Sequence, residues 1–324
     1  MKGRRKVLAP DIPSVFSMET NFRLKAGGHA GLLWGYVAGI VTGVTYGLNP
    51  LFAVPLMKQG VSVDSILFFR YFLAVVILGC WMVARRESFR VSGHQIRRLL
   101  ILGLLFSLSS FTLFEAYNYI PSGIATTIVF LYPVLVALIM MVLKVYPTWQ
   151  VWVAIIATFA GVLFLSRSDG TQILQWKGLA LSFASALSYA MFIVIINRSR
   201  SVHLISNTLL TFYALLTGVV LYSLYALVQH IPLTAGLHGF SSWANLAGLA
   251  VLPTIVSTAT LAMATRIIGA TRASVLGVFE PVTAILVGAL AFGESITVNV
   301  VVGIVLTMAA IVFMIVSPGK KQLR

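Results

Sequence analysis

Ten stretches of about 20 residues, each almost wholly apolar, divide this chain of 324 residues. They lie at roughly 32–54, 64–84, 97–118, 121–143, 148–166, 176–197, 204–229, 242–265, 271–291 and 296–316, bounded by charge, Pro, or Gly/Ser/Asn clusters. A helix needs about 20 apolar residues to cross the hydrocarbon layer. Barrel strands would alternate in polarity over about 10 residues, whereas these runs stay apolar, as from Ile124 to Leu143. Only 10% of the residues are charged and 59% are hydrophobic, against about 25% charged in a soluble domain. Such a chain cannot clothe itself in a water-facing shell. A soluble enzyme, a disordered tail protein and a secreted disulfide scaffold are excluded. Cys80 is the sole cysteine, so neither an intrachain disulfide nor a Cys-ligated zinc site is available. The fold class expected is an all-α integral membrane protein with ten transmembrane helices.

The formal net charge of +15 would suggest nucleic acid in a soluble chain. Here it follows topology. With the amino terminus inside, the inner segments carry 19 of the 23 Lys and Arg: Lys2, Arg4, Arg5, Lys6, Arg23, Lys25, Arg85, Arg86, Arg90, Arg97, Arg98, Lys144, Arg198, Arg200, Arg266, Arg272, Lys320, Lys321 and Arg324. The outer loops carry Lys58, Arg167 and Lys177, and Arg70 lies within a span. The positive-inside rule then places both termini in the cytoplasm. Residues 1–31 read as a cytoplasmic tail with no cleavable apolar core, and 317–324 as a second tail. The expected setting is a bacterial inner membrane, multi-pass, with the basic loops facing anionic inner-leaflet lipid and no nucleic acid.

Comparison of the chain with itself shows a duplication. Gly43-Val44-Thr45-Tyr46-Gly47 matches Ala186-Leu187-Ser188-Tyr189-Ala190, offset by 143. Leu67-Phe68-Phe69-Arg70-Tyr71 sits over Leu209-Leu210-Thr211-Phe212-Tyr213, offset by 142, and Ile120 to Pro133 over Ile268 to Pro281, offset by 148. The halves are 32–166 and 167–316, with five spans each. Five is odd, so the second copy enters the membrane from the opposite side. Inverted repeats are a common route to alternating access, with solute near the midplane between the copies.

These residues resemble the drug/metabolite transporter superfamily, and within it the ten-helix EamA-type carriers. The resemblance rests on Phe69-Arg70-Tyr71-Phe72-Leu73-Ala74, the run from Glu115 through Asn118-Tyr119-Ile120-Pro121 to Ala125, Leu131-Tyr132-Pro133, and Phe279-Glu280-Pro281 followed by Gly293-Glu294. It covers about 32 to 316. One departure stands out: Val145-Tyr146 replaces the Gly-Glu common after span four of such proteins. The resemblance implies a secondary transporter, and the apolar, aromatic-rich spans are most similar to YddG-type exporters of aromatic and other neutral amino acids. A proton-coupled exporter of drugs or nucleobase-type metabolites is the alternative, and a channel a more remote one.

Arg70, Glu115 and Glu280 are the ionisable side chains well inside spans. A charge at a helix centre costs roughly 2.5–3.5 kcal/mol on insertion scales, so each needs a partner or water. Arg70 and Glu115 both fall in the outer leaflet half, where they are expected to pair, as a lock between spans two and three or as a gate at the outer mouth. Glu280 lies near mid-depth, just before Pro281. A carboxyl there can exchange protons in a coupled cycle, accept a hydrogen bond from a substrate ammonium, or simply bond across helices. Its repeat mate is Tyr132. Tyr46 and Tyr189 are likewise repeat mates, and a tyrosine offers a flat apolar body with one polar end, suited to solute or to packing alone. Asn49-Pro50 adds an amide and a break one turn beyond Tyr46. Ser109, Thr127, Phe130, Ser185, Thr254 and Ser257 complete the candidate lining residues, although Ser and Thr in spans often serve as interhelical glue. Ala157 and Gly161 form a small-xxx-small pair in span five, fitting a brace or a weak homodimer contact.

No enzyme or pump motif competes. His29, His94, His203, His230 and His238 lie in tails, loops or span borders, no His-Glu-x-x-His occurs, and no phosphate-binding Gly-x-x-x-x-Gly-Lys-Ser/Thr run is present. Cofactors are not called for. Transport would be driven by the solute's own gradient, by protons or by exchange. The sparse intramembrane charge suits a neutral or zwitterionic solute with a sizeable apolar part.

Overall fold

The computed structural model describes residues 29–116, 118–119, 125, 128–165, 175–292, and 298, 301–302, 305–306, 309 and 313. Every regular element among the described residues is helical. Span one is α1 (His29–Gly47), broken at Leu48 and continued as α2 (Asn49–Lys58). Then come α3 (Val63–Ala84), α4 (Gly93–Ala116), α5 (Tyr132–Val142) and α6 (Trp149–Leu165). The second half holds α7 (Trp176–Arg198), a short α8 (Arg200–His203) and α9 (Asn207–Val228). Span eight comprises α10 (Gly239–Leu249), a π-helical segment (Ala250–Val256) and α11 (Ser257–Ile268). Span nine is divided into α12 (Ala270–Leu276) and α13 (Phe279–Phe292).

Seven helical stretches among the described residues are long and apolar enough to cross a membrane: Gly31–Lys58, Val63–Ala84, Gly93–Ala116, Trp176–Arg198, Asn207–Val228, Gly239–Ile268 and Ala270–Ala291. They coincide with spans one, two, three, six, seven, eight and nine. Span four is represented by α5, span five by α6, and most of span ten lies outside the described residues. Exposed apolar side chains such as Phe72, Val76 and Ile156 form the outward faces of α3 and α6, as expected against lipid.

Local signals set the boundaries. Ser92 and Gln95 form a reciprocal capping box at the start of α4, through Ser92 N to Gln95 Oε1 (2.8 Å) and Gln95 N to Ser92 Oγ (3.4 Å). The helix therefore starts four residues before the apolar run does, and carries Arg97 and Arg98 in its first turns. Ser62 caps α3 by accepting from Ser65 N, and Ser206 caps α9 by accepting from Leu209 N. Both helices are 22 residues long. Both end in a turn whose left-handed residue is not glycine, Arg86 at φ 55° and His230 at φ 52°. Matching bonds close them, Glu87 N to Met82 O and Ile231 N to Ala226 O. These landmarks share an offset of 144, two more than the sequence match at 142.

Spans one and six show the same kind of correspondence at 143. Gly35, Gly39, Gly43 and Gly47 form a stripe on α1, and Gly178, Ser182, Ala186 and Ala190 a stripe of small residues on α7. A Cβ at Gly43 would meet Phe279 and the backbone of Glu280, and one at Gly47 the carbonyl of Glu280. Small residues let the helix axes approach this closely. Packing follows one pattern: α1 lies on α11 and α13 as α7 lies on α4 and α5, α3 contacts span eight as α9 contacts span three, and α3 and α9 contact each other. Trp149 of α6 touches Phe313, with ring centroids 5.8 Å apart, which places span five beside span ten. Ala157 is half-buried on α6; the surroundings of Gly161 lie outside the described residues.

Candidate solute-binding site

The site begins with a broken helix. Pro253 has no N–H, so it cannot serve the carbonyl of Leu249 one turn earlier. The hydroxyl of Thr254 donates to that carbonyl instead, at 2.8 Å, within the π-helical segment. That hydroxyl and the Pro253 carbonyl then receive a guanidinium from span two. Arg70 Nε donates to Thr254 Oγ1 at 2.5 Å, and Nη2 to the Pro253 carbonyl at 3.3 Å. The Arg70 Cζ also lies 5.7 Å from the Tyr46 ring centroid and 5.8 Å from that of Tyr71. Arg70 is 0% exposed, and its Nη1 has no hydrogen-bond partner among the described residues. Hydrogen bonds to a charged group contribute about 1.5–3 kcal/mol each. Two of them are large enough to offset the roughly 2.5–3.5 kcal/mol for a cation at a helix centre.

The expected pairing of Arg70 with Glu115 does not occur. α9 packs between α3 and α4, with Gly218 against the Tyr71 ring and Gly103 against Thr217. Arg70 is turned to span eight. Glu115, half-buried near the end of α4, accepts from Asn118 Nδ2 at 3.1 Å. Residue counting does not give direction around the helix.

Three tyrosines meet beside Arg70. Tyr46 and Tyr189, the repeat mates, stack at 6.3 Å with planes 20° apart, and Tyr132 packs edge-on to Tyr189 at 4.9 Å. Phe130 lies edge-on to Tyr132 at 5.7 Å. The hydroxyl of Tyr132 is directed against Gly277, where any Cβ would overlap it. Gly277 begins the two-residue break in span nine. Since Pro281 lacks an N–H, the carbonyl of Gly277 is taken by Glu280 N at 2.9 Å. Glu280 follows at the start of α13, half-buried, with its carboxyl hydrogen-bonded to none of the described residues. Arg70 bonds Thr254 and Pro253 and makes no ion pair with it. Asn49 donates to the Tyr46 carbonyl at 2.8 Å, and its Oδ1 is buried without a partner among the described residues.

The cluster extends through residues that the sequence did not single out. Tyr71 bonds Ser110 at 2.8 Å, and Tyr222 donates to the Ser107 carbonyl at 2.9 Å. Ring contacts run from Tyr71 to Phe106, from Phe106 to Phe192, and from Phe192 to Tyr189. With Arg70 between Tyr71 and Tyr46, the six side chains close a circuit. The signal available was the Ser107/Ser110 spacing on one helix face, opposite a tyrosine that follows the intramembrane arginine.

Ser109 and Ser185 bridge α4 and α7. Their hydroxyls lie 3.1 Å apart, and Ser185 also donates to the Ser109 carbonyl at 2.8 Å. Thr42 and Thr260 make the equivalent bridge between α1 and α11 at 2.8 Å, and Thr42 is offset from Ser185 by the same 143. Ser257 is buried at the head of α11, and none of the described contacts ties it to the tyrosines. Thr127 lies outside the described residues. Among the described residues, no group of His, Cys, Asp and Glu could hold a metal ion.

The EamA-like transporter family model matches residues 33–167 and again 176–316. The chain belongs to this family. Its apolar helices make it a multi-pass membrane protein. An uncharacterized transporter of Archaeoglobus fulgidus is 32% identical over 134 residues, a match spanning 41% of this chain and 46% of that one. The chain thus spans under half the length of that curated relative. A crystal structure superposes with a TM-score of 0.72 at 16% identity, over 87% of this chain and 98% of the other. The EamA-like fold is shared with it.

Proposed function

We propose that this EamA-like transporter is an inner-membrane carrier, built as two inverted five-helix repeats (32–166 and 167–316), that exports neutral, mainly apolar or aromatic amino acids or similar small metabolites by alternating access. One observation carries the reading. Tyr46, Tyr132, Tyr189 and Glu280 come from spans one, four, six and nine, which are two pairs of repeat mates, and they converge at one place. A site where mates meet lies near the pseudo-symmetry axis, where such carriers hold their solute. The shared offsets of caps, small-residue stripes and hydroxyl bridges support the duplication. The tyrosine rings suit an apolar side chain, and one cation with one acid suits a zwitterion. Glu280, without a hydrogen-bond partner among the described residues, supports proton coupling. Both termini are placed in the cytoplasm, beside anionic lipid, and the protein functions as a monomer or weak homodimer. Purified protein in liposomes, assayed for amino-acid flux with and without a pH gradient, tests it. Flux of neutral amino acids, accelerated by the gradient, is the expected result; no flux of any neutral amino acid refutes it.

A further inference from the structure

We infer that Arg70 and Glu280 hold the two ends of a zwitterionic α-amino acid, the Nη1 of Arg70 receiving the carboxylate and Glu280 the ammonium. The inference rests on the amino-acid reading above and adds which residue meets which end of the solute.

The first ground is the orphaned nitrogen. A guanidinium offers five N–H donors in a fixed fork. Two of the Arg70 nitrogens are engaged by Thr254 and Pro253, both on the broken segment of span eight, and the Tyr46 side chain lies against the guanidinium, while Nη1 is buried and meets no hydrogen-bond partner among the described residues. Buried polar atoms are almost always satisfied, so an orphan points to a missing partner. The bonds at Nε and Nη2, together with the Tyr46 and Tyr71 rings, fix the plane of the guanidinium. It cannot turn to satisfy Nη1 without breaking them. A planar, weakly hydrated guanidinium is well suited to a carboxylate.

The second ground is placement. Arg70 lies over Tyr46, and the backbone of Glu280 packs on Gly43 and Gly47. These three residues occupy little more than one turn of α1, about 6 Å along its axis. The cation and the acid are therefore held against neighbouring parts of one helix.

The third ground is that the two do not neutralise each other. Arg70 hydrogen-bonds a hydroxyl and a carbonyl, and the Glu280 carboxyl bonds none of the described residues. Neither charge is therefore cancelled by the other. A solute carrying both charges satisfies them together, whereas a purely cationic or anionic one leaves a charge unpaired inside the membrane, where that is costly.

The test is competition against labelled phenylalanine in liposomes, using unlabelled phenylalanine, phenethylamine (no carboxylate) and 3-phenylpropionate (no ammonium). In the wild type both truncated compounds should compete about tenfold or more weakly than phenylalanine, the scale of one lost charged hydrogen bond. Arg70→Gln should bring phenethylamine level with phenylalanine and leave 3-phenylpropionate weak; Glu280→Gln should do the reverse. Parallel weakening of all three ligands in both variants, or no discrimination by the wild type, overturns the inference. Should Arg70→Gln fail to fold, Arg70→Lys, which keeps the charge and loses Nη1, must narrow the phenethylamine gap. If the wild type moves no neutral amino acid, the parent reading falls, and this one with it.

Discussion

Arg70 and Thr254, 184 residues apart in sequence, meet with Nε and Oγ1 separated by 2.5 Å. The same hydroxyl serves the Leu249 carbonyl that Pro253 leaves open. Thr254 thus joins an intramembrane cation to a broken helix. Valine is close in shape but would orphan both groups, and each unsatisfied buried group costs about 1–3 kcal/mol. Thr254→Val should therefore destabilise the protein by about 2–4 kcal/mol, with Thr254→Ser losing less than about 1 kcal/mol. Thermal unfolding in detergent reads this directly. A valine variant melting with the wild type would show that the bond contributes nothing.

Gly277 and Tyr132 make a sharper pair. A Cβ at Gly277 would overlap the Tyr132 hydroxyl, which is buried and carried on a rigid ring. Overpacking of this kind costs about 1–3 kcal/mol, so Gly277→Ala should lower both stability and transport. Tyr132→Phe removes the clashing atom, and the double variant should recover at least about half of the lost stability. Additive losses in the double variant would place the strain elsewhere.

The run lengths made the helical membrane fold legible, and the paired landmarks pointed to Tyr46 with Tyr189 and to Tyr132 with Glu280. The three tyrosine rings lie together, and the backbone of Glu280 packs on the helix that carries Tyr46. What remained hidden was rotational. Hydropathy is averaged along a span, so it could not show that α9 comes between Arg70 and Glu115. Nor could it show that Ser109 and Ser185 bond each other. The aromatic letters aligned spans two and seven at an offset of 142, whereas their serine caps share an offset of 144.

The two hydroxyl bridges, Ser109 to Ser185 and Thr42 to Thr260, should behave alike. Interhelical hydrogen bonds in membranes are worth about 0.6 kcal/mol on average. Ser185→Ala and Thr42→Val are expected to lower stability by about that amount while solute affinity stays within about twofold. Affinity for phenylalanine, read by a binding titration, decides the matter. A tenfold loss in Ser185→Ala alone would return that serine to the solute.

Glu115 bonds only Asn118 among the described residues, at the end of α4, and a glutamine can keep that contact. Glu115→Gln should leave membrane level and transport rate within about twofold, since an exposed polar contact contributes less than about 1 kcal/mol. A large loss of transport at normal expression would restore a gating role.

Glu280 is the opposite case. Glutamine matches its size and can still donate and accept, so the helix break and the packing on Gly43 and Gly47 should persist. What glutamine cannot do is bear a negative charge or exchange a proton. Glu280→Gln is therefore expected to slow transport about tenfold or more, equivalent to about 1.4 kcal/mol in the barrier, with the membrane level nearly unchanged. Its residual flux should also lose any dependence on an imposed pH gradient. Quantified membrane protein alongside initial rates, at two gradient directions, separates these outcomes. Equal rates at equal protein would remove the carboxyl from both solute binding and coupling, leaving it an interior side chain of a carrier driven by the solute gradient alone.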